Sequence, residues 1–294
     1  MQAQDGLQEG SATVADTVVV DDAEIEYTET GSGPPLVFVH GVYVTGAVWD
    51  DVAQRLSQTH RCIVPTWPFG AHRIPVGPGV DLGVAAAARR IAKFLEVLDL
   101  SGVTLVANDT GGGIVQAALG NDLLAFDRVA RLVFTNCDSF EHFPPSGFAP
   151  LVRLCRLNAT LGAGVLRLLA TGPGLDRFAS AVTRHGIDDD RRPAIFDGFI
   201  TSGQVRREAV SLTADLNPRY TLAATAAMKT WDKPVLVAWG DADKLFPVSH
   251  AQRLVDTFPH ATLHTIKDSS TYVMLDQPDE TAGAISAFAN STTG

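Results

Sequence analysis

Continuous apolar runs alternate with helically spaced apolar positions along most of the chain. Two short β-rich segments at 17–21 and 24–28 predict an opening hairpin. Apolar runs typical of strands covered on both faces follow at 36–39, 103–106, 129–134 and 234–238, and a last strand is predicted at 262–266. Between them, residues 82–98 carry Ile91, Phe94, Leu95 and Leu98 at helical spacing. Strands that alternate with helices predict an α/β fold built on a mostly parallel sheet.

The alternation stops between residues 139 and 227, where the chain becomes helical and rich in leucine without a strand run. A helical block between two sheet strands most simply forms a lid over the carboxyl ends of the strands, where ligands bind in α/β folds. An extension of the core is the alternative. The predicted organisation is a flexible N-terminal tail over 1–16, a core over 17–138 and 228–294, and a helical lid over 139–227.

Length and composition are those of a globular chain. The 294 residues, 46% of them hydrophobic, can bury a sizeable core as one large domain. The formal net charge of −10 comes from scattered carboxylates without a basic cluster, so it is interpreted as acidic solubility and no nucleic-acid partner is expected.

The polar N-terminal segment lacks the basic start and apolar core of a signal peptide, and no apolar run approaches the roughly 18 residues of a membrane span. We therefore expect a cytoplasmic protein without a membrane partner. Whether it forms a homodimer is left open.

No cofactor and no metal are expected from the sequence. It has no Gly-x-Gly-x-x-Gly fingerprint, no phosphate-binding loop and no cluster of metal-ligating residues. Cys62, Cys137 and Cys155 are odd in number and far apart, which argues against a disulfide framework or a zinc site. They are interpreted as buried free thiols.

Four short motifs stand in a fixed order along the predicted core, each directly after a strand. They are His40-Gly41-Val42-Tyr43, Ala107-Asn108-Asp109-Thr110-Gly111, the segment from Gly240 to Pro247, and the segment from Asp268 to Pro278. Over residues 17–288 this ordered set resembles the α/β-hydrolase superfamily. The resemblance implies a central sheet flanked by helices, an inserted lid, and a nucleophile at the turn 107–111.

Asp109 stands at the nucleophile position of that turn. An aspartate there resembles the subset of epoxide hydrolases and haloalkane dehalogenases, in which a carboxylate attacks a saturated carbon and forms an alkyl ester. Such a turn is strained and needs small neighbours; Gly111 fits, and Ala107 is a mild departure from the preferred glycine. The backbone N–H groups of Val42 and Thr110 are the implied oxyanion-hole pair. A helix N-cap is the plain alternative for Asp109.

Asp243 and Thr271 match the other two positions of the implied catalytic triad. The resemblance implies that Asp243 orients an imidazolium; a turn aspartate is the alternative. The family's histidine falls on Thr271, ahead of Tyr272, and threonine cannot carry a proton near neutral pH. The triad is therefore incomplete, and the hydrolytic step is predicted to be impaired or altered.

None of the other histidines is a clear replacement. His264 is predicted in the last strand and His250 at the surface near a helix start. His40 is predicted to brace the loop that carries Val42, here called the oxyanion loop. His72 follows the fourth core strand, and it is a candidate for a polar contact with substrate.

Two departures concern the leaving group. Haloalkane dehalogenases usually place Trp after the nucleophile and often Asn after His-Gly, whereas this chain has Thr110 and Val42. Epoxide hydrolases use lid tyrosines to protonate the opening oxygen, and the candidates here are Tyr220 in the lid and Tyr43 on the oxyanion loop. Epoxide opening is therefore favoured over dehalogenation. The leucine-rich lid predicts a small, mostly apolar substrate.

Three functions remain open. The first is hydrolase chemistry of the epoxide or carbon–halogen type with Asp109 as nucleophile. The second is a lyase, isomerase or cyclase that uses Asp109 as a general acid or base, its pKa raised by burial. The third is a ligand-binding protein in which Asp109 and Asp243 no longer act.

Overall fold

The computed structural model describes residues 14–121 and 127–291. Its strands are β1 (Val14–Val20), β2 (Ala23–Thr30), β3 (Pro35–Val39), β4 (Arg61–Pro65), β5 (Val103–Asp109), β6 (Val129–Cys137), β7 (Val235–Gly240) and β8 (Ala261–Ile266). They form one eight-stranded sheet in the order β1-β2-β4-β3-β5-β6-β7-β8. The pairs β1–β2 and β2–β4 are antiparallel, and the other neighbours are parallel. The predicted α/β fold with a mostly parallel sheet is confirmed.

The apolar runs became strands because both faces of the sheet are covered. Every position of β5 and β7 is buried, which explains why these strands show no alternation of polar and apolar residues. β1 begins at Val14, ahead of the predicted hairpin start at 17, so the end of the predicted tail is a strand. Residues 1–13 of that tail lie outside the described residues.

Helices cover the sheet and continue beyond it. In chain order, those before the lid are α1 (Asp50–Leu56), α2 (Val84–Val97) and α3 (Thr110–Gly120), with a 3₁₀ turn at Gly46–Trp49. A second 3₁₀ turn, Ser146–Phe148, precedes α4 (Ala149–Leu157), α5 (Ala159–Leu169), α6 (Gly172–Val182), α7 (Arg192–Ile195), α8 (Asp197–Thr201) and α9 (Gly203–Asp215). The remaining helices are α10 (Pro218–Thr230), α11 (Val248–Thr257), α12 (Val273–Asp276) and α13 (Pro278–Ala289).

Helices α4–α9 form a lid that rests on the loops at the carboxyl edge of the sheet. The Gly198 N–H of α8 donates to the carbonyl of Ala71, in the loop after β4, at 3.0 Å. The N–H of Tyr272, in the loop after β8, donates to the Val182 carbonyl at the end of α6 at 2.8 Å. On the oxyanion loop, the Thr45 N–H donates to the Ile195 carbonyl at 2.8 Å. The insertion therefore covers the edge where the four sequence motifs meet.

Helix α10 differs from its predicted place in the lid. It packs on α3 so closely that a Cβ at Gly120 would lie 2.8 Å from the Ala224 Cα. Because α3 flanks the sheet, α10 belongs to the core layer, and the lid ends earlier than residue 227.

The leucines of the lid divide between two faces. Leu166 is fully buried, whereas Leu157, Leu161 and Leu168 are 74%, 57% and 69% exposed. The leucine-rich composition therefore does not by itself describe the lining of a substrate pocket. Among the described residues, no helix has the length and apolar character needed to cross a membrane.

Candidate active site

Asp109 lies on a strained turn between β5 and α3. Its φ of 53° and ψ of −134° place it in a region that side chains rarely adopt. Glycines make the turn possible: a Cβ at Gly41 would overlap the Asp109 carboxylate, and one at Gly111 would lie 2.5 Å from the His40 carbonyl oxygen. The crowding predicted from the motif is therefore present in the fold.

The Asp109 carboxylate faces inward and does not cap the helix that it precedes. Its side chain makes no capping hydrogen bond in α3, which argues against the N-cap as its role. The backbone N–H groups of Thr110 and Val42 lie against the carboxylate and lower its pKa. These are the two donors that the sequence implied as an oxyanion hole.

Burial is the main influence on the Asp109 carboxyl. Burial raises the pKa most, the nearby Asp243 carboxylate also raises it, and the Thr110 and Val42 amides lower it; the net result is a pKa of about 7. A carboxyl with a pKa near 7 is divided between its neutral and charged forms at neutral pH. Asp109 can therefore serve as a nucleophile or a base only in the ionised fraction.

Asp243 and Thr271 meet directly. The Thr271 hydroxyl donates to Asp243 Oδ2 at 3.0 Å, and the Asn136 amide donates to the same oxygen at 2.7 Å. The other oxygen, Oδ1, accepts from the backbone N–H groups of Leu245 and Phe246 at 2.7 and 3.1 Å. The carboxylate is thus fully engaged without an imidazole, although burial still raises its pKa.

Asn108 ties the turn to the loop that carries Thr271. Its amide donates to the Thr271 carbonyl at 2.7 Å and to the Asn136 carbonyl at 3.1 Å. Side-chain hydrogen bonds therefore join the ends of β5 and β6 to the segments that follow β7 and β8. Asn136 was not singled out from the sequence; its signal is a polar residue inside the otherwise apolar end of β6.

No imidazole among the described residues is recorded in contact with the carboxyl of Asp109 or Asp243. His40 Nδ1 lies 2.7 Å from the Gly41 carbonyl, and its Nε2 accepts from the Trp67 N–H at 2.8 Å. Burial lowers the His40 pKa to about 4, so it is a neutral brace of the oxyanion loop. His250 stacks on His142, and His264 pairs with Glu280 at 3.2 Å.

The three predicted substrate contacts have different places in the fold. Tyr43 is buried beside the turn, with a φ of 63°, and its hydroxyl lies 2.6 Å from the Thr213 hydroxyl of α9. His72 is buried against the lid, where its Nε2 lies 2.8 Å from Glu208 Oε2. The half-buried Tyr220, in the first turn of α10, donates its hydroxyl to Asp215 Oδ2 at 2.7 Å. Only Tyr43 shares the surroundings of Asp109.

Tyr272 is a polar residue near Asp109 that the sequence analysis did not assign to the site. It is fully buried, and its hydroxyl has no hydrogen-bond partner within the described part of the chain. Burial, and then the Asp109 charge, raise its pKa well above the usual value, so the phenol keeps its proton. Its ring makes an edge-on contact with that of Phe178 in α6, with centroids 6.3 Å apart. It is an available donor between the turn and the lid.

Asp138 adds a third buried carboxyl directly after β6. Burial and the neighbouring Asp109 raise its pKa well above the ordinary range, and the Thr110 side chain opposes this rise. A Cβ at Gly113 would lie 3.1 Å from the Asp138 Cβ, which places the side chain beneath the first turn of α3. Asp109, Asp138 and Asp243 form no ion pair with a cation within residues 14–121 and 127–291. The same residues contain no group of three or more side chains suited to hold a metal ion.

Comparisons with known proteins agree with the fold. Residues 36–284 match the family described as the alpha/beta hydrolase family. A cis-3-alkyl-4-alkyloxetan-2-one decarboxylase of Shewanella oneidensis is 27% identical over 92% of this chain and 86% of its own length. Haloalkane dehalogenase 2 of Mycobacterium tuberculosis is 26% identical over 89% of this chain and 90% of its own length.

Solved structures give the same picture of the architecture. The crystal structure of a haloalkane dehalogenase from Bradyrhizobium elkani superposes with a TM-score of 0.79, at 17% identity, over 95% of this chain and 98% of that one. The predicted fold, and the prediction of an enzyme of hydrolase type, are therefore confirmed.

Proposed function

The chain belongs to the alpha/beta hydrolase family, and within that family we propose that Asp109 attacks a saturated carbon of a small apolar electrophile, most readily a strained ring such as an epoxide. The observation that carries the proposal is the inward carboxylate on its strained turn, with two backbone N–H groups against it. One carboxyl oxygen forms the new C–O bond. The other oxygen becomes the ester carbonyl and stays within reach of the Val42 and Thr110 amides.

Ring opening needs a proton for the oxygen that leaves carbon. The ring C–O bond breaks, its electron pair goes to the oxygen, and a nearby acid neutralises the alkoxide. Tyr272 is suited to this step because its buried hydroxyl has no partner among the described residues. Tyr43 is less suited, since its hydroxyl is held by Thr213. The proton donor in this proposal is Tyr272.

The release step is where this chain departs from hydrolysis. Water attacks an alkyl ester efficiently only with a base, and Thr271, hydrogen-bonded to Asp243, occupies the position implied for that base. The ester on Asp109 is therefore long-lived for a substrate that has no other way to leave. An epoxide would convert the enzyme to its alkylated form and release diol slowly.

A second candidate function removes this difficulty, and the Thr271 contact favours it. The Shewanella relative is named a decarboxylase of an oxetan-2-one, a four-membered lactone. Attack by Asp109 on the saturated ring carbon that is bonded to the ring oxygen would break that C–O bond and open the lactone to a carboxylate. Loss of CO₂ then supplies the electron pair for a C=C bond and expels Asp109 as a free carboxylate. This sequence yields an alkene and CO₂, consumes no water and needs no imidazole.

Intact-mass spectrometry tests the nucleophile. The protein is incubated with terminal epoxides, 1-haloalkanes and a dialkyl β-lactone, and Asp109→Asn serves as the control. We expect a mass increase equal to the added epoxide, located on Asp109 by peptide mapping and missing in the control. An unmodified protein with no turnover across the whole panel would contradict the proposal and favour a binding role.

Product analysis in H₂¹⁸O separates the two candidates. Alkene and CO₂ from the lactone, with no solvent oxygen gained by either carbon fragment at early times, support the decarboxylase-like function. A hydroxy acid that carries solvent oxygen, and that forms as fast as the lactone is consumed, supports hydrolysis instead.

Tyr272→Phe tests the proton donor. We expect alkylation by an epoxide to slow by about 100-fold, since a positioned acid contributes on that scale. Reaction with a 1-haloalkane, whose halide leaves without a proton, should change much less. Equal losses with both substrates would show that Tyr272 only supports the local packing.

A further inference from the structure

The outer face of the lid carries four exposed apolar side chains, here called the lid stripe. Leu157, Leu161, Val165 and Leu168 are 74%, 57%, 41% and 69% exposed. In α5 the positions 161, 165 and 168 fall on one helical face, and Leu157 ends α4 just before Asn158 caps α5. Gly162 and Leu166 form the buried face of α5, so the lid stripe takes no part in the core.

The charge around the lid stripe differs from that of the whole chain. The formal net charge is −10, yet residues 142–175 hold Arg153, Arg156 and Arg167 and no Asp or Glu. Arg206 and Arg207 come from α9, which packs against both α4 and α5. Burial lowers the Arg206 pKa, and the neighbouring cations Arg167 and Arg207 lower it further. The α4–α5 part of the lid is therefore basic, on an acidic protein.

These arginines are not neutralised within the described residues. Arg156 donates to the Ala214 carbonyl at 2.9 Å and Arg206 to the Ile200 carbonyl at 3.1 Å, and none of the five forms a recorded ion pair. By contrast, Arg61 pairs with Glu29 at 2.7 Å and Arg253 with Glu141 at 2.7 Å. These five arginines thus remain available to an anionic partner, unlike Arg184, Arg191 and Arg192 elsewhere in the lid, which form ion pairs.

Exposed leucines beside unpaired arginines point to one kind of occupant. A symmetric contact with a second copy would bury the leucines but would bring the same arginines against each other. An anionic lipid surface satisfies both features, since apolar side chains enter the acyl boundary and arginines meet the headgroups. A groove of about 510 Å³ along α4, lined by Pro150, Arg153 and Leu157, extends this surface.

We propose that α4 and α5 dock the lid onto an anionic lipid surface. Leu157, Leu161, Val165 and Leu168 enter the interface, and Arg153, Arg156 and Arg167 contact phosphate groups. The chain lacks an apolar run long enough to span a membrane, which predicted no membrane partner, but a helix that lies on the surface needs no such length. The proposal does not depend on the chemistry of Asp109, but it would place the lid next to a store of apolar substrate.

Vesicle flotation of the full-length protein tests the docking. Vesicles of phosphatidylcholine alone are compared with vesicles that also contain phosphatidylglycerol. We expect binding to the mixed vesicles that weakens at high salt. The double variant Leu161→Ser/Leu168→Ser should bind about tenfold more weakly or worse, since each side chain loses apolar transfer free energy. Arg153→Gln/Arg167→Gln should lose the preference for anionic vesicles.

Matched controls lie outside the lid. Val19→Ser removes a 63% exposed apolar side chain from β1, and Arg89→Gln removes a cation from α2. Neither should change flotation. Wild-type protein that fails to float, or lid and control variants that float equally, would overturn the proposal.

Two further measurements keep the result unambiguous. Light scattering after size exclusion tests the alternative occupant, a second copy of the chain. If wild-type protein does not float but forms a dimer that Leu161→Ser/Leu168→Ser abolishes, the face belongs to that second copy.

Leu161→Trp leaves the face apolar, and its emission should shift to the blue with mixed vesicles. Unchanged emission in a folded variant would also count against docking.

Discussion

At the scale of single residues, Thr271 determines how the site behaves. Its hydroxyl and the Asn136 amide satisfy Asp243 Oδ2, so no imidazolium separates Asp243 from Asp109. The result is a group of buried carboxyls without a cation among the described residues, and burial first, with the Asp243 charge adding to it, raises the Asp109 pKa to about 7. In the proposed function, threonine at position 271 would therefore affect the alkylation step through charge and the release step through the lack of a base.

Thr271→His should supply both a base for the release step and a positive charge near Asp109. An imidazole beside Asp243 would supply a base for water and, when protonated, a cation that lowers the Asp109 pKa. We expect diol release from epoxides to rise by at least about 100-fold, the usual scale of a positioned base. Steady-state product formation with H₂¹⁸O checks this, and Thr271→Asn is the control for a change of side-chain size. No gain in a folded variant would show that the larger side chain is not accommodated beside Asp243.

The pKa of Asp109 also sets the pH dependence of alkylation. Only the ionised carboxylate attacks carbon, so the single-turnover rate should rise with pH and be half-maximal near pH 7. Tyr272 keeps its proton over this range, because its pKa lies well above the usual value. A stopped-flow or quench series from pH 5 to about 9 measures the profile. A rate that is flat through neutrality would mean that the carboxyl is ionised throughout.

At the scale of elements, the oxyanion loop and the lid act as one unit. Tyr43 stacks on Phe199 of α8 with ring centroids 5.0 Å apart, and its hydroxyl meets Thr213 of α9. The oxyanion loop is thus packed against α8 and hydrogen-bonded to α9 of the lid. Movement of α8 and α9 would change the position of one oxyanion donor.

Tyr43→Phe should loosen this connection without removing the ring. The lost hydrogen bond is worth about 1 kcal/mol, and Thr213 can still donate to the Ala209 carbonyl. We expect a small loss of global stability and faster hydrogen exchange in α8 and α9. Tyr27→Phe, on β2, is the matched control, because its hydroxyl contacts only the exposed Asp16. Equal exchange in the two variants would contradict the coupling.

At the scale of the whole molecule, the buried carboxyls make stability depend on pH. A carboxyl whose pKa is raised in the folded state stabilises the fold fully below its unfolded value, near 3.8 for Asp109, and loses that contribution as pH rises through about 7. Asp138 and Asp243 are shifted in the same direction. Ionisation of this group therefore weakens the native state toward alkaline pH.

Asp109→Asn should remove part of this penalty. We expect the change in unfolding free energy, variant minus wild type, to be about 2 to 3 kcal/mol more favourable at pH 8 than at pH 5. Denaturant titrations at the two pH values measure it. Asp189→Asn, on the surface with a side chain 92% exposed, controls for the loss of one charge. A difference that is the same at both pH values would show that Asp109 is already ionised at pH 5.

Much of the fold and part of the site could be predicted from the sequence. The apolar runs in β3, β5, β6 and β7 are local signals, since a strand covered on both faces must be apolar at nearly every position. The turn at Asp109 is also local, because its strain requires glycines at fixed offsets, as Gly41 and Gly111 show. The departure at Thr271 was visible from the same motif spacing.

Only the tertiary structure decided which polar groups face Asp109 and which leucines face water. Asn136 and Asp138 lie at the end of β6 and Tyr272 lies in the loop after β8, so their approach to the site depends on the packing of the sheet and the lid. The same packing buries Leu166 and leaves Leu161 and Leu168 outside. Composition records how many leucines the lid contains, but burial is fixed by contacts between residues far apart in the chain. For that reason the sequence predicted the turn and its candidate nucleophile, and the fold determined the candidate proton donor, the charge around it and the outer surface of the lid.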